Sequence, residues 1–184
     1  MHFYILAGGQ SRRFGRNKAL FIFEGQSIIE RVIAAIPSPA TIFLVTNSPN
    51  EYTHLKLPTL ADHYPGCGPL AGIHAGLQHS PQEWNFFLAC DFPYLQSCTI
   101  KEILSAPREA QVVLPQPPEG LQPLCALWSK TALPVIANAL QNQERRVQTV
   151  LEKLNVHIIS PSAPHALFNL NTPQDLFKLR NRCN

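Results

Sequence analysis

Residues 2–18 of the chain read His2-Phe3-Tyr4-Ile5-Leu6-Ala7-Gly8-Gly9-Gln10-Ser11-Arg12-Arg13-Phe14-Gly15-Arg16-Asn17-Lys18. The first six are apolar at nearly every position, as expected for a strand that is covered on both faces. The two glycines that follow let the backbone turn sharply and approach a ligand. Because the apolar run lacks a basic segment and meets glycine so soon, it predicts a first β-strand and not a signal peptide.

Similar apolar runs recur along the chain and alternate with stretches of helical periodicity. Ser27 and Glu30 have the spacing of a capping box, and an apolar stripe follows over 28–36. A second stripe covers 147–154, and Thr172 before Pro173 predicts a last helix toward Leu179. The predicted strands are 2–7, 41–46, 86–90, 111–115, 123–128 and 156–160.

This alternation of strands and helices is typical of βαβ units. It predicts an α/β fold, a three-layer α/β/α sandwich with a mostly parallel (mixed) sheet, as one domain over 1–184. No apolar run approaches the roughly 20 residues of a membrane span, and a net charge of +3 is too small to indicate nucleic-acid binding. On those two grounds we expect no membrane or nucleic-acid partner. The five cysteines are odd in number and never spaced C-x-x-C, so we expect reduced thiols in a cytoplasm.

The segments that follow the predicted strands carry the candidate chemistry, because ligands of open α/β sheets bind at the carboxyl ends of the strands. After the first strand, Arg12, Arg13, Arg16 and Lys18 add four cations to the paired glycines. Backbone amides supply geometry and cations supply charge, as a polyphosphate requires. The segment has neither the Walker pattern nor G-x-G-x-x-G, so we predict a phosphate site of another kind. A solvated basic loop is the alternative.

Two further segments follow this logic. Gly68, Gly72 and Gly76 recur every four residues, and each glycine inside a helix costs ~1 kcal/mol relative to alanine. Such a run implies close approach, either by a ligand or by the sheet. Asp91 ends the apolar run 86–90, where it can hold Mg²⁺ on bound phosphates or cap the turn at Phe92. The cationic glycine segment favours the metal role.

Two polar groups near the C-terminus form the last candidate site. Arg145 and Arg146 precede the stripe at 147–154, so two cations lie at the positive end of a helix dipole. Because residues that break a local rule are often functional, we interpret both as ligand-binding. Asn169 and Asn171 place two amides beside the predicted helix start at Thr172, which predicts a second anion site.

In this order, the segments resemble the molybdenum cofactor guanylyltransferases from residue 3 to about residue 179. They are Leu6-Ala7-Gly8-Gly9…Arg12…Gly15…Lys18, Gly68-Pro69-Leu70-Ala71-Gly72, Cys90-Asp91-Phe92-Pro93, Glu144-Arg145-Arg146-Val147 and Asn169-Leu170-Asn171-Thr172-Pro173. The first motif is shared by many Rossmann-like nucleotidyltransferases. Its combination with Glu144-Arg145-Arg146-Val147 and Asn169-Leu170-Asn171-Thr172-Pro173 is far more specific to this family. The resemblance therefore implies the Rossmann-like nucleotidyltransferase fold.

The resemblance also implies an activity and a set of residues. GMP from GTP would be joined to the terminal phosphate of molybdopterin cofactor, forming the guanine dinucleotide cofactor and releasing pyrophosphate. Mg²⁺ would be the cofactor, held by Asp91, with Lys18 and Arg12 stabilising charge. Nucleotide contacts would come from Leu6, Ala7, Gly8, Lys18, Asn47, Asp62 and Asp91, and pterin contacts from Arg145, Arg146, Asn169 and Asn171. Asn47 is our choice among Thr46-Asn47-Ser48. GTP and the pterin are the implied partners, with transient contacts to molybdoenzymes or other cofactor-biosynthesis proteins.

Two alternatives stay open at this stage. A related nucleotidyltransferase would use CTP on the same pterin, or another nucleoside triphosphate on a sugar or isoprenoid phosphate. Base choice depends on contacts of the segment 62–76. A non-catalytic carrier subunit would bind the nucleotide or pterin without turnover. The pair Lys18 and Asp91 favours catalysis, because a binding protein has less need of a metal-binding carboxylate.

Overall fold

The computed structural model describes residues 1–8, 17–172 and 175. The strands in these ranges are β1 (His2–Leu6), β2 (Ile22–Phe23), β3 (Gln26–Ser27), β4 (Thr41–Val45), β5 (Thr59–Leu60), β6 (Trp84–Ala89), β7 (Val112–Pro115), β8 (Cys125–Ser129) and β9 (Val156–Ile159). The α-helices are α1 (Ile28–Ala35), α2 (Pro69–His79), α3 (Ser97–Ser105), α4 (Leu133–Gln141) and α5 (Val147–Leu151). Short 3₁₀ helices cover Lys18–Leu20, Pro49–Leu55, Lys130–Ala132 and Pro164–Leu167.

Seven of these strands form one mixed sheet in the order β5-β4-β1-β6-β8-β7-β9, and β2 pairs with β3 in a separate hairpin. Strand β8 runs antiparallel to both of its neighbours, and the other pairs in the seven-stranded sheet are parallel. The register sets Leu6 opposite Val45 and Ala89. The carboxyl ends of β1, β4 and β6 therefore meet at one edge, as the α/β prediction requires.

Apolar side chains of β1 alternate between the two faces of the sheet. Phe3 and Ile5 pack into a core cluster with α1 and α3, whereas Tyr4 and Leu6 pack into a second cluster with α2, α4 and α5. This covering of both faces explains why the strand is apolar at consecutive positions. The structure confirms the three-layer α/β/α arrangement. None of the helices in the described ranges is both long and apolar enough to cross a membrane.

Most predicted elements are present, with shifted ends. The capping box at Ser27 and Glu30 is formed, and α1 begins at the next residue. The strand predicted at 123–128 begins two residues later, at Cys125. Sequence reasoning missed β2, β3 and β5, which have two residues each, and also α3 and α4. The helix predicted from Thr172 toward Leu179 lies almost entirely outside the described residues.

The glycine run at 68–76 is explained largely by packing of α2 on the sheet. Gly68 is not inside the helix but caps it, with φ +66°. A Cβ at Gly72 would lie 2.8 Å from Cδ2 of Leu6, and one at Gly76 would lie 2.6 Å from Cε1 of Phe87. Close approach by the sheet therefore accounts for Gly76, whereas Gly72 also borders the cavity described below.

We expect Gly76→Ala to lower the free energy of unfolding by about 1–3 kcal/mol, the usual cost of overpacking, despite better helix propensity. The new methyl group meets the ring of Phe87, which is fully buried and stacked on Tyr4 at 5.2 Å, so neither ring can yield easily. Gly72→Ala in the same helix is the matched control, because its nearest neighbour is the flexible end of Leu6. Urea denaturation that shows equal losses for the two variants would contradict this account.

Candidate active site

A cavity of about 810 Å³ opens beyond the carboxyl ends of β1 and β4. Its lining includes Leu6, Ala7, Gly8, Asn47 and Asp62, which are five of the residues expected at the nucleotide. The cavity lies within the size range typical of small-molecule sites. These residues converge because parallel strands deliver the segments that follow them to the same edge of the sheet.

Asn47 and Asp62 hold each other in place at the cavity. The Asn47 Nδ2 donates to Asp62 Oδ2 at 2.8 Å, and the Asp62 backbone N–H donates to Asn47 Oδ1 at 3.2 Å. The Tyr64 backbone N–H donates to Asp62 Oδ1 at 3.1 Å. By contrast, Thr46 is buried and its Oγ1 accepts from the backbone N–H of Ser48. Thr46, Asn47 and Ser48 all line the cavity, and Asn47 is the one of the three whose side chain is hydrogen-bonded to Asp62.

Three segments that are distant in the sequence meet at Lys18. Its Nζ lies 3.3 Å from Asp91 Oδ2 and 3.3 Å from Asn171 Oδ1. The Leu170 backbone N–H donates to the Asp91 carbonyl oxygen at 2.9 Å, which docks the C-terminal segment beside the end of β6. The structure therefore brings together an ammonium group, a carboxylate and a side-chain amide. We call Lys18, Asp91 and Asn171 the lysine cluster.

One oxygen of the Asp91 carboxylate has no hydrogen-bond partner among the described residues. This atom, Oδ1, is buried, while Oδ2 faces Lys18. Burial raises the pKa of the Asp91 carboxyl, although the Lys18 ammonium opposes that shift. An unsatisfied carboxylate oxygen can serve as a ligand of Mg²⁺. In proteins, Mg²⁺ is commonly bound by one or two carboxylates together with substrate phosphates. The unpaired Oδ1 leaves Asp91 able to take this role.

Asn169 lies on the other side of Leu170 from the lysine cluster. Its Nδ2 donates to Gln122 Oε1 at 3.3 Å, and its Oδ1 is buried with no hydrogen-bond partner in the described part of the chain. The Asp175 carboxylate accepts from the backbone N–H groups of Asn171 and Thr172 at 3.0 and 2.8 Å. Asn171 is thus a member of the lysine cluster, whereas Asn169 contacts Gln122 and presents an unused acceptor.

Arg145 and Arg146 lie in the turn between α4 and α5, and both are exposed. Because β8 runs toward the opposite edge, α4 carries the chain back to the carboxyl edge, and the turn lies there. Among the described residues, neither arginine side chain is hydrogen-bonded or ion-paired to Asp91 or the two asparagines. The structure gives these arginines an edge position and no contact with the lysine cluster.

The helix-dipole argument for these arginines is weaker than the sequence suggested. Glu144 Oε1 accepts from the backbone N–H groups of Arg145 and Arg146, each at 2.8 Å, and these bonds lower the pKa of Glu144. A carboxylate therefore already compensates the start of α5. The dipole alone does not require an anionic ligand at this turn.

Three of the four predicted phosphate-site cations, Arg12, Arg13 and Arg16, lie outside the described structure, and two residues were missed. All three arginines fall within 9–16, which the structure does not describe. Asn17 and Tyr52 both line the cavity, and the Tyr52 hydroxyl donates to the Ala7 carbonyl oxygen at 3.1 Å. The position of Asn17 next to Lys18 was a usable signal. Nothing in the sequence around Tyr52 pointed to the contact with Ala7.

The geometry suits transfer chemistry on a phosphate ester. The cavity lining includes Asn17, the residue before Lys18, but neither Lys18 nor Asp91. The ammonium group of Lys18 and the spare oxygen of Asp91 therefore lie outside the cavity, connected to its wall through Asn17. Phosphoryl-type transfer depends on positioning and on stabilising negative charge, and it needs no protein nucleophile when the acceptor is already ionised.

Comparisons with known proteins show similarity to nucleotidyltransferases. The family model described as a MobA-like NTP transferase domain matches residues 3–158. A molybdenum cofactor guanylyltransferase from Desulfosudis oleivorans is 36% identical over 95% of this chain and 91% of its own length. The same-named protein from Vibrio cholerae is 32% identical over 94% of this chain and 87% of its own length.

A solved structure supports the same assignment. The crystal structure of molybdopterin-guanine dinucleotide biosynthesis protein A from Archaeoglobus fulgidus superposes with a TM-score of 0.83 and 25% identity. It covers 100% of this chain and 98% of its own chain. Since the family match covers most of the sequence and the relatives align over nearly their whole lengths, the chain belongs to the MobA-like NTP transferase domain family.

Proposed function

We propose that the chain transfers GMP from GTP to the terminal phosphate of molybdopterin cofactor, forming the guanine dinucleotide cofactor and releasing pyrophosphate. The observation that carries the proposal is the lysine cluster beyond the carboxyl ends of β1 and β6, in which Lys18 directly follows Asn17 of the cavity wall. The guanylyltransferase names of the relatives support the choice of GTP and of the pterin.

In this proposal a phosphate oxygen of the pterin attacks the α-phosphorus of GTP. The new P–O bond forms as the bond to pyrophosphate breaks, and pyrophosphate leaves with that bonding pair. Lys18 holds the phosphates as a point charge, with Arg12 as a second cation. Asp91 would hold Mg²⁺ through its unpaired Oδ1, and the ion would supply further charge neutralisation on the phosphates.

The cavity would hold the nucleoside part of GTP. We place it against the backbone of Leu6, Ala7 and Gly8 and beside the pair Asn47 and Asp62. The reciprocal hydrogen bonds of that pair fix the carboxylate before a ligand arrives, which reduces the ordering cost of binding.

The pterin would bind on the other side of the lysine cluster. Asn169 and Asn171 flank Leu170 there, and Asn169 Oδ1 is an acceptor without a partner among the described residues. We include Arg145 and Arg146 in this half because their turn reaches the same edge of the sheet. Their exposure leaves both guanidinium groups accessible to an anionic ligand.

We expect Arg146→Ala to weaken pterin cofactor binding at least about tenfold, or ~1.4 kcal/mol, because one charge-assisted contact is lost. GTP affinity should stay within about threefold, since GTP occupies the other half of the site. Calorimetric titration of each ligand measures both, with circular dichroism to check folding. A fall in GTP affinity with unchanged pterin affinity would reverse the two halves. A lower melting temperature with both affinities unchanged would make the arginine a structural residue.

The proposed function is tested with purified pterin cofactor, Mg²⁺ and each of GTP, CTP, ATP and UTP. Thermal shift reports which nucleotide stabilises the chain, and pyrophosphate release reports turnover. We expect stabilisation and release with GTP. Release with CTP instead would support the cytidylyl alternative. Stabilisation by a nucleotide without release would support a carrier subunit.

The remaining parts of the proposal concern organisation and location. We propose that residues 1–184 form one nucleotidyltransferase domain, which is supported by a family match over 3–158. The cytoplasm is the proposed compartment, on the odd number and scattered spacing of the cysteines. Because the product carries a finished cofactor, transient contacts with molybdoenzymes or other cofactor-biosynthesis proteins belong to the same proposal.

A further inference from the structure

Tyr52 lies in the 3₁₀ helix Pro49–Leu55, and its side chain is almost fully buried at 3% exposure. Its hydroxyl donates to the carbonyl oxygen of Ala7, the residue that follows β1, at 3.1 Å. Burial raises the pKa of Tyr52 to about 12, so the hydroxyl keeps its proton at neutral pH. The hydroxyl is therefore a permanent donor to the backbone at the end of β1.

Asn17 makes the matching contact from the other side. Its Nδ2 donates to the Tyr52 hydroxyl oxygen at 2.9 Å and to Glu51 Oε2 at 2.5 Å, which uses both protons of the amide. Its Oδ1 accepts from the backbone N–H of Ala19 at 3.0 Å and so caps the turn Lys18–Leu20. Each polar atom of the Asn17 side chain thus has a partner, and the residue is fixed in one orientation.

The two contacts meet at one oxygen atom. Ala7 and Asn17 lie on the two sides of the basic glycine segment in the sequence, and the Tyr52 hydroxyl joins them. Lys18 starts directly from Asn17 and reaches Asp91 and Asn171 at 3.3 Å each. A shift of Asn17 would therefore move the point from which the lysine ammonium group extends.

We infer that Tyr52 is a positioning residue for phosphate binding: its hydroxyl fixes Asn17 relative to Ala7 and thereby places the Lys18 ammonium group. The inference rests on the proposed function, in which Lys18 binds the phosphates of the nucleotide. Tyr52 borders the cavity, but its hydroxyl is engaged by the Ala7 carbonyl and the Asn17 amide, so removing the hydroxyl should act on the ligand through Lys18. Its loss should therefore affect ligands that carry phosphates and spare the nucleoside.

The test uses Tyr52→Phe, which removes the hydroxyl and keeps the ring. Calorimetry should show GTP binding weakened about five- to tenfold, because Asn17 is no longer fixed to Ala7 and the Lys18 ammonium group must be ordered when the phosphates bind. Guanosine binding should stay within about twofold of the wild type, since the nucleoside gains nothing from Lys18. Equal weakening of both ligands would overturn the inference, because it would indicate direct contact with the nucleoside or general disorder of the cavity.

A double-mutant cycle with Lys18→Ala tests whether Tyr52 acts through the lysine. The double variant should bind GTP within about twofold of Lys18→Ala, because without the ammonium group there is nothing left to position. If the wild-type chain binds GTP and the losses from the two substitutions add in the double variant, the inference is overturned and the proposed function stands. A wild-type chain that binds no GTP would instead overturn the proposed function and the inference that rests on it.

Tyr4→Phe is the matched control. Tyr4 is fully buried, and its hydroxyl lies 2.9 Å from His79 Nδ1 at the C-terminal end of α2. The cavity lies at the other end of that helix, near Pro69. Each variant loses a tyrosine hydroxyl with two hydrogen-bond partners, Ala7 and Asn17 for Tyr52 and His79 and His2 for Tyr4, so both should lose comparable stability in urea. GTP binding should weaken in Tyr52→Phe only, and equal weakening in Tyr4→Phe would overturn the inference.

Discussion

Asp91→Asn is expected to reduce turnover by about 10²–10³, the usual effect of removing one well-placed stabilising group from a transfer site. Asparagine keeps the size of the side chain and an oxygen that can accept from Lys18. It removes the negative charge and the free carboxylate oxygen that would hold Mg²⁺. The measurement is pyrophosphate release at limiting and at saturating Mg²⁺.

Asp62→Asn is the control for this variant, because it makes the same change at the cavity away from Lys18. It should raise the KM for GTP without altering the dependence of turnover on Mg²⁺. If Asp91→Asn turns over GTP within about threefold of the wild type at limiting Mg²⁺, the metal role is wrong and Asp91 serves the turn or the ion pair.

The free energy of unfolding of Asp91→Asn should be at least as large as that of the wild type. A carboxyl whose pKa is raised on folding is destabilising at a pH where it is ionised in both states, because burial disfavours the charged form more than Lys18 favours it. Asparagine removes that cost. A melting temperature unchanged or raised, together with lost turnover, would mark Asp91 as a residue kept for chemistry at the expense of stability.

The sequence was informative where one local pattern reports one physical constraint. The apolar run of β1 reflects burial of both faces, and the capping box reflects the open N–H groups at the start of α1. The carboxyl-edge rule then placed Asp91 and the segment of Asn171 in one region, and the structure joins both to Lys18. The distances between these side chains depend on the order of the strands in the sheet, and a local sequence pattern does not determine that order.

Contacts between distant segments were beyond the sequence for the same reason. Strands β2, β3 and β5 have two residues each, too few to show a period, and they exist because of pairing with neighbours. Likewise, Tyr52 has an ordinary local context, and its importance comes from the Ala7 carbonyl that the fold brings to it. For Gly76, the helix pattern fixed the position but could not distinguish a ligand from the Phe87 ring.

Lys18→Ala is expected to weaken GTP binding about 10- to 100-fold, the value of one hydrogen bond to a charged group in a partly buried site. Guanosine binding should change by less than about twofold, because a point charge acts on phosphates and not on the base or sugar. Calorimetry with both ligands gives the comparison. Lys130→Ala is the control, since its Nζ also donates a hydrogen bond, to the Ser80 carbonyl at 2.7 Å, away from the cavity.

A structural role for Lys18 is separated from a ligand role by a second substitution. In Lys18→Ala the half-buried Asp91 carboxylate loses the cation that lies 3.3 Å away, so the single variant should also lose stability near neutral pH. Adding Asp91→Asn removes the uncompensated charge and should restore the melting temperature. GTP affinity should remain low in this double variant, because no ammonium group is present to meet the phosphates. If affinity returned with stability, or if guanosine weakened as much as GTP in Lys18→Ala, the lysine would be a structural ion-pair partner and the phosphate contacts would belong to other residues.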